Sequence, residues 1–222
     1  MKRKDIAAIL FLLVAVLELI TEIYAMHKLN MVVKPLLMIS LAIYFIFSVE
    51  KKSSIAFLVV VALMFSWFGD VFLLFQHLSS IYFVLGLLSF LLAQATYIYI
   101  FRKTSSKFKP KLFTYSTGFL LILYGSLLLL LMWPSLGAME MPVAVYTGVI
   151  IIMGLSSLFR QAAGASYILV GTMLFITSDS MIAINKFYNP IDGARFWIML
   201  TYILAQYLIV AGMIKYFSGS TK

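Results

Sequence analysis

Eight runs of roughly twenty apolar residues, joined by short polar connections, fill this chain almost from end to end. They are expected at 6–26, 32–49, 54–75, 80–101, 112–133, 141–158, 164–185 and 193–217. A run of that length matches the thickness of a bilayer core, and in lipid a backbone must satisfy its own hydrogen bonds, so each run reads as a spanning helix. With 64% apolar and 11% charged residues among 222, the chain carries more apolar surface than a soluble core of its size could bury. The expected fold class is therefore an all-α polytopic membrane protein, an eight-helix transmembrane bundle, with seven spans if a short run fails. The longest connection, 102–111, is too short to fold alone, which makes residues 1–222 a single transmembrane domain. Lys2, Arg3 and Lys4 resemble the start of a signal peptide. The run behind them continues past Glu18 and Glu22 without a small-residue cleavage site, so it reads as the first span.

The net charge of +9 does not point to nucleic acid, because the basic residues lie between the apolar runs and not on one continuous face. They report orientation. With the amino terminus inside, the cytoplasmic side holds Lys2, Arg3, Lys4, Lys51, Lys52, Arg102, Lys103, Lys107, Lys109, Lys111, Arg160, Lys215 and Lys222. The other side holds Lys28, Lys34, Lys186 and Arg195. The excess places both termini in the cytoplasm, with the cell (inner) membrane as the expected location. No cysteine is present, which excludes disulfides, thiolate ligands and a Cys nucleophile. His27 and His77 are too few for a His-rich metal site, so no metal or other cofactor is expected. The prolines at 35, 110, 134, 142 and 190 are expected at span ends or in loops, leaving the spans unbroken.

Two of the helical hairpins resemble each other. The third and seventh spans each carry one aspartate, in FGDVFLLF and TSDSMIAI, and the fourth and eighth each carry Leu-Ala-Gln, at Leu92-Ala93-Gln94 and Leu204-Ala205-Gln206. The Asp-to-Gln offsets are 24 residues (70 to 94) and 27 residues (179 to 206). This pattern fits a parallel four-plus-four internal repeat, with chance similarity between apolar segments as the alternative. Both aspartate helices run outward. Each aspartate stands about 15 residues, or roughly 23 Å, from the start of its span, so the two carboxyls share a layer in the outer half of the bilayer.

An acid in lipid must be neutral, paired or exposed to a wet cavity, and such residues are functional candidates by default. Glu18, Glu22, Asp70 and Asp179 qualify, and Lys34 enters the membrane from the side where the layer lies. Glu22 shares that layer, with Glu18 one turn deeper. Helical spacing places Ser66 and His77 with Asp70, and Lys186 with Asp179, while Asn185 falls nearer the opposite face and reads as a packing residue. Asp70 and Asp179 are the expected catalytic pair. Lys34, Glu18, Glu22, Ser66, Ser178, Lys186, Gln94 and Gln206 are candidate substrate-binding or supporting residues. The alternative is a buried polar network that only locks helices together, with Gln94 and Gln206 as interhelical hydrogen-bond partners. Tyr24, Trp133 and Trp197 read as aromatic-belt residues.

Several short patterns, in order and spacing, resemble the YhhN family. They are Lys34-Pro35-Leu36-Leu37, Gly69-Asp70, Phe83-x-x-Gly86-Leu87 with Ala93 and Tyr97, and Gly171-x-x-x-Phe175-x-x-Ser178-Asp179-Ser180 with Asn185-Lys186-Phe187. The resemblance runs from the second span to the eighth. It implies an integral membrane hydrolase that cleaves the vinyl ether bond of lysoplasmalogens, releasing a fatty aldehyde and a glycerophospho-ethanolamine or -choline. It also implies that Asp70 and Asp179 are the catalytic residues. Gln94 stands where family members often have histidine, which argues against Gln94 as a proton carrier.

The chemistry suits two carboxyls. A vinyl ether is stable to base and yields to acid: protonation of its β-carbon gives an oxocarbenium ion, which water captures as a hemiacetal that collapses to aldehyde and alcohol. Glycosidases pass through a similar cation with one acid and one carboxylate. In a low-dielectric layer, desolvation and like-charge repulsion can keep one of two carboxyls protonated while its partner stays ionised. The expected partners are thus a lysophospholipid, water and the bilayer, with the phosphate meeting Lys34, Lys186 or Arg195. A proton-coupled lipid or small-molecule transporter and a non-enzymatic scaffold are the competing readings.

Overall fold

Every regular element among the described residues is helical. The structure, a computed structural model, describes residues 2–50, 53–106 and 110–219; Lys51, Lys52, Lys107, Lys109 and Lys222, counted above toward the cytoplasmic charge, lie outside them. The helices are α1 (Arg3–Ile23), α2 (His27–Ser48), α3 (Ser54–Leu74), α4 (Ser80–Lys103), α5 (Leu112–Leu136), α6 (Glu140–Leu158), α7 (Ala165–Phe187) and α8 (Ala194–Gly219). A 3-10 turn, Gly137–Met139, joins α5 to α6.

Among the described residues, seven helical stretches are long and apolar enough to cross a membrane, which makes this a multi-pass membrane protein. The expected fifth and sixth spans fall in one of them, the 47-residue stretch Leu112–Leu158. At about 1.5 Å per residue it would reach more than twice the thickness of a bilayer core if straight. It doubles back at the 3-10 turn, so that Gly118 faces Leu155, Leu121 faces Gly154 and Gly125 faces Ile151.

Serine caps open two of the helices. Ser53 accepts a hydrogen bond from the Ala56 amide at 3.1 Å to open α3, and Ser79 does the same for Ile81 at the start of α4. The turn after α1 passes through Ala25 at φ 50° and leads straight into α2 at His27. Helix α2 therefore begins five residues before the apolar run, and Pro35 lies inside it instead of at its end. The missing N–H of Pro35 leaves the preceding turn one bond short, while its own carbonyl accepts from Trp67 Nε1 at 2.9 Å and ties α2 to α3. The remaining prolines stand in the last turn of α5, the first turn of α6 and the connections, as expected.

Sequential helices pair as hairpins: α1 with α2, α3 with α4, α5 with α6 and α7 with α8. Across the pairs, α4 packs on α6, α8 on α1 and α2, α2 on α3 and α6 on α7. The tightest approach is between α7 and α8. A Cβ on Gly171 would stand 2.8 Å from the Ala205 carbonyl oxygen, and one on Gly164 only 2.1 Å from that of Gly212. Such small-residue contacts let helix backbones touch where lipid supplies no hydrophobic drive to association. Tyr97, Phe101, Leu37, Leu63, Ile168 and Phe175 fill the interior, whereas α5 turns Leu112, Phe113, Phe119 and Leu130 outward, as lipid-facing helices do. The carboxyl-terminal ends of α1, α3 and α7 meet the amino-terminal ends of α2 and α8 at one end of the bundle, around a polar cavity.

Candidate functional site

Each aspartate meets a tyrosine from another helix. Asp70 on α3 is only 2% exposed, and its Oδ2 accepts from the Tyr202 hydroxyl of α8 at 2.9 Å. Asp179 on α7 is half-buried, and its Oδ2 accepts from the Tyr146 hydroxyl of α6 and from Gln94 Nε2 of α4 at 3.2 Å. Gln94 also donates to the Tyr146 oxygen at 2.7 Å, which closes a three-membered polar cluster inside the bundle. One turn inward from Asp70, Ser66 Oγ accepts from Gln206 Nε2 at 2.9 Å, and Gln206 Oε1 accepts from the Tyr97 hydroxyl at 2.9 Å. The glutamine of α4 thus reaches the aspartate helix α7, and the glutamine of α8 reaches the aspartate helix α3. Ser178 donates to the Ile198 carbonyl at 3.1 Å and holds α7 to α8.

The rings of Phe90, Phe175 and Tyr202 pack edge to face with centroids 5.8–6.3 Å apart. Phe90 also fills the space that a side chain at Gly69 would need. Together they occupy the interior beside Asp70, and Phe90 continues into the wall of the crevice where Asp179 sits.

That crevice is apolar. Asp179, Tyr146 and Ser180 line it among Phe83, Leu87 and Met132, in a space bounded by α3 through α7. The polar cavity at the end of the bundle measures about 790 Å³, within the range of small-molecule sites. Lys34, Lys186 and Arg195 all line it, with Glu22, His77 and Asn185. Two residues belong to both walls, Leu73 and Ile182. Each stands three positions, just under one turn, beyond an aspartate: Leu73 after Asp70, Ile182 after Asp179. Asp70 itself lines neither space.

The acids of α1 form a second cluster around one amide. Asn30 Nδ2 lies 3.0 Å from Glu18 Oε1, 3.1 Å from Thr21 Oγ1 and 3.1 Å from Glu22 Oε1. Glu18 is sealed from solvent, while Glu22 reaches the cavity, where Oε2 accepts from Arg195 Nε at 2.7 Å and Oε1 lies 3.7 Å from Lys34 Nζ. Lys186 sits 4.2 Å above the ring of Phe83. Asn185 accepts from the Ile191 amide at 2.9 Å, so it shapes the loop before α8 besides facing the cavity. Tyr24 and Trp197 are exposed near helix ends, the positions of belt residues. Among the described residues no group of three or more His, Asp or Glu side chains is arranged to hold a metal ion.

Sequence reasoning passed over Asn30, Tyr146 and Tyr202. A lone asparagine before a run reads as loop, and a lone tyrosine inside one reads as apolar. The only signal for the tyrosines was the need of each buried carboxyl for a donor.

The chain matches the YhhN family over residues 29–213. Two curated relatives, lysoplasmalogenase TMEM86A of Bos taurus and lysoplasmalogenase TMEM86A of Homo sapiens, are each 34% identical to it over 163 residues. The match covers 70% of this chain and 64% of each relative, so the chain spans less than two thirds of their length. No solved structure matches it.

Proposed function

This chain belongs to the YhhN family, and from that membership we propose that it is a membrane hydrolase that opens the vinyl ether bond of lysoplasmalogens with Asp70 and Asp179 as its acid and carboxylate pair. The observation that carries the reading is the wall shared by the crevice and the cavity. A lysoplasmalogen has one hydrocarbon chain, one polar head and a vinyl ether where they join. The apolar crevice suits the chain, and the cavity with Lys34, Lys186 and Arg195 suits the phosphate. The junction then falls at Leu73 and Ile182, one turn from both aspartates.

For the reaction, Asp179 lines the crevice already, while Asp70, which lines neither space, must reach the junction past Leu73. One carboxyl transfers its proton to the β-carbon of the vinyl ether, and the other, ionised, stabilises the oxocarbenium ion and orients the water that attacks it. Water adds to the cationic carbon, giving a hemiacetal. The proton that this water gives up to the orienting carboxylate passes to the glycerol oxygen as its bond to the hemiacetal carbon breaks, and the hemiacetal hydroxyl returns its proton to the first carboxylate, releasing the aldehyde and the glycerophospho-alcohol. Tyr146 and Gln94 fix Asp179, and Tyr202 fixes Asp70, so neither carboxyl must reorganise as charge develops. Ser66, Ser178 and Gln206 hold the aspartate helices in register, Glu22 anchors Lys34 and Arg195, and Glu18 supports Glu22 through their shared partner Asn30.

The same proposal includes a single transmembrane unit with eight crossings, both termini in the cytoplasm and the cavity on the opposite face of the cell membrane. The crossed reach of Gln94 and Gln206 supports a four-plus-four repeat, since each half sends its glutamine to the other half's aspartate helix. The test is to incubate the purified protein with a lysoplasmalogen and with the saturated ether lysolipid of the same head group. Free aldehyde is expected from the first alone, and its absence from both would reject the reading. Uptake of unaltered lipid driven by a pH gradient would replace it with the transporter reading.

A further inference from the structure

We infer that the two carboxyls have separate and fixed duties: Asp179 is the proton donor, acting through Oδ1, and Asp70 handles water from the cavity side. Tyr146 is the positioning residue that keeps the proton of Asp179 on Oδ1. The inference rests on the proposed hydrolase reading and its placement of the lipid, and it concerns which group performs which step.

The order of atoms in the substrate sets the first constraint. From chain to head, a lysoplasmalogen presents the β-carbon, the α-carbon, the ether oxygen and the glycerol. With the chain in the crevice, the carbon that takes the proton lies toward the crevice side of Leu73 and Ile182, and the carbon that takes water lies toward the cavity. Asp179 lines the crevice, and on α7 it shares a face with Ala183 and Phe187, four and eight residues on, which line it too. Asp70 belongs to the other side. Three, four and seven residues beyond it, Leu73, Leu74 and His77 line the cavity, so the cavity face of α3 ends one turn from this carboxyl. Among the described residues no cation lines the crevice, whereas Lys34, Lys186 and Arg195 line the cavity. The carboxylate that must act as an anion is therefore better placed at position 70.

The hydrogen bonds of Asp179 set the second constraint. The Tyr146 hydroxyl and Gln94 Nε2 both donate to Oδ2, and two donors use both lone pairs of that oxygen. Oδ1 has no hydrogen-bond partner among the described residues. A proton on this carboxyl therefore sits on Oδ1, the oxygen left free for substrate. In the step itself the Oδ1–H bond breaks and the π pair of the vinyl ether forms the new C–H bond at the β-carbon. A lone pair of the ether oxygen then completes the oxocarbenium ion, and the charge left on Asp179 is held at Oδ2 by Tyr146 and Gln94. Asp70 Oδ2 has a different donor, Tyr202, so each carboxyl answers to its own tyrosine.

The test uses the full chain in nanodiscs and an acyl lysophospholipid with a diazo group on the second carbon of its chain, the place of the β-carbon. A carboxyl that protonates this carbon becomes esterified to it as dinitrogen leaves, and peptide mass spectrometry locates the ester. The ester is expected on Asp179 in the wild type and in Asp70→Asn, and on neither position in Asp179→Asn. Tyr146→Phe should slow labelling about tenfold without weakening lipid binding, which is read by displacement of a fluorescent lysolipid. Tyr202→Phe should slow aldehyde release about tenfold yet leave labelling at the wild-type rate. An ester on Asp70, or on neither aspartate of wild-type protein that binds the lipid, would overturn the inference. So would labelling that Tyr202→Phe slows as much as Tyr146→Phe does. Because the diazo lipid has no vinyl ether, labelling stands or falls separately from aldehyde release.

Discussion

Asp70→Asn and Asp179→Asn are each expected to lower aldehyde release by about a thousandfold or more, while leaving the protein folded. An amide has the size of the carboxyl it replaces. Its oxygen can still accept from Tyr202 at position 70, or from Tyr146 and Gln94 at position 179, so the helix contacts survive. What it loses is the chemistry, because an amide neither gives a proton to carbon nor carries the negative charge that steadies an oxocarbenium ion. Turnover is measured on protein that elutes as wild type and keeps its helical signal. If the acids served only to lock helices together, both variants would turn over lipid normally and the account would fail.

Gly171→Val is expected to be the most damaging substitution outside the acid pair, costing about 3 kcal/mol or more of stability. A Cβ at 171 would meet the Ala205 carbonyl oxygen at 2.8 Å and the Ile209 amide nitrogen at 2.9 Å, and backbone cannot swing aside as a side chain can. Helix α7 would have to leave α8. That separation breaks the Ser178–Ile198 bond and moves Asp179, carried by α7, relative to Asp70, which Tyr202 of α8 holds, so activity should fall with stability. Gly148→Ala is the internal control, since its Cβ would meet nothing within 4 Å. Unfolding in mixed micelles should show the valine variant far below wild type and the alanine variant level with it. Equal stability of the two would contradict the close α7–α8 approach.

The helices were legible because the signal for them is length and apolarity, which a bilayer enforces on every residue of a span. The start of α2 was not, because His27, Lys28 and Asn30 are polar and read as a connection. They are helical because Asn30 is held from the side by Glu18 and Glu22, eight to twelve residues away on α1. That shift also carries Pro35 into the helix. The acids stood out for a physical reason, that charge in lipid demands a partner, but the partners did not. Tyr146 lies 52 residues from Gln94, and Tyr202 lies 132 residues from Asp70. No local pattern links such pairs; only the packing of α4 on α6 and of α8 against the rest brings them together. The meeting of Lys34, Lys186 and Arg195 was legible as a shared side of the membrane, and the structure sharpens it to one cavity. The division of that site from the crevice by Leu73 and Ile182 had no sequence signal at all, since two aliphatic residues among dozens are indistinguishable.

The central claim is that a carboxyl proton is delivered to the β-carbon of a vinyl ether, and deuterium reports that step directly. The purified protein is incubated with a lysoplasmalogen in heavy water, and the released aldehyde is trapped at once and analysed by mass. One deuterium on the carbon next to the aldehyde, with the glycerophospho-alcohol formed in equal amount, is the predicted result. Aldehyde without that deuterium, or no aldehyde from wild-type protein, would contradict the account.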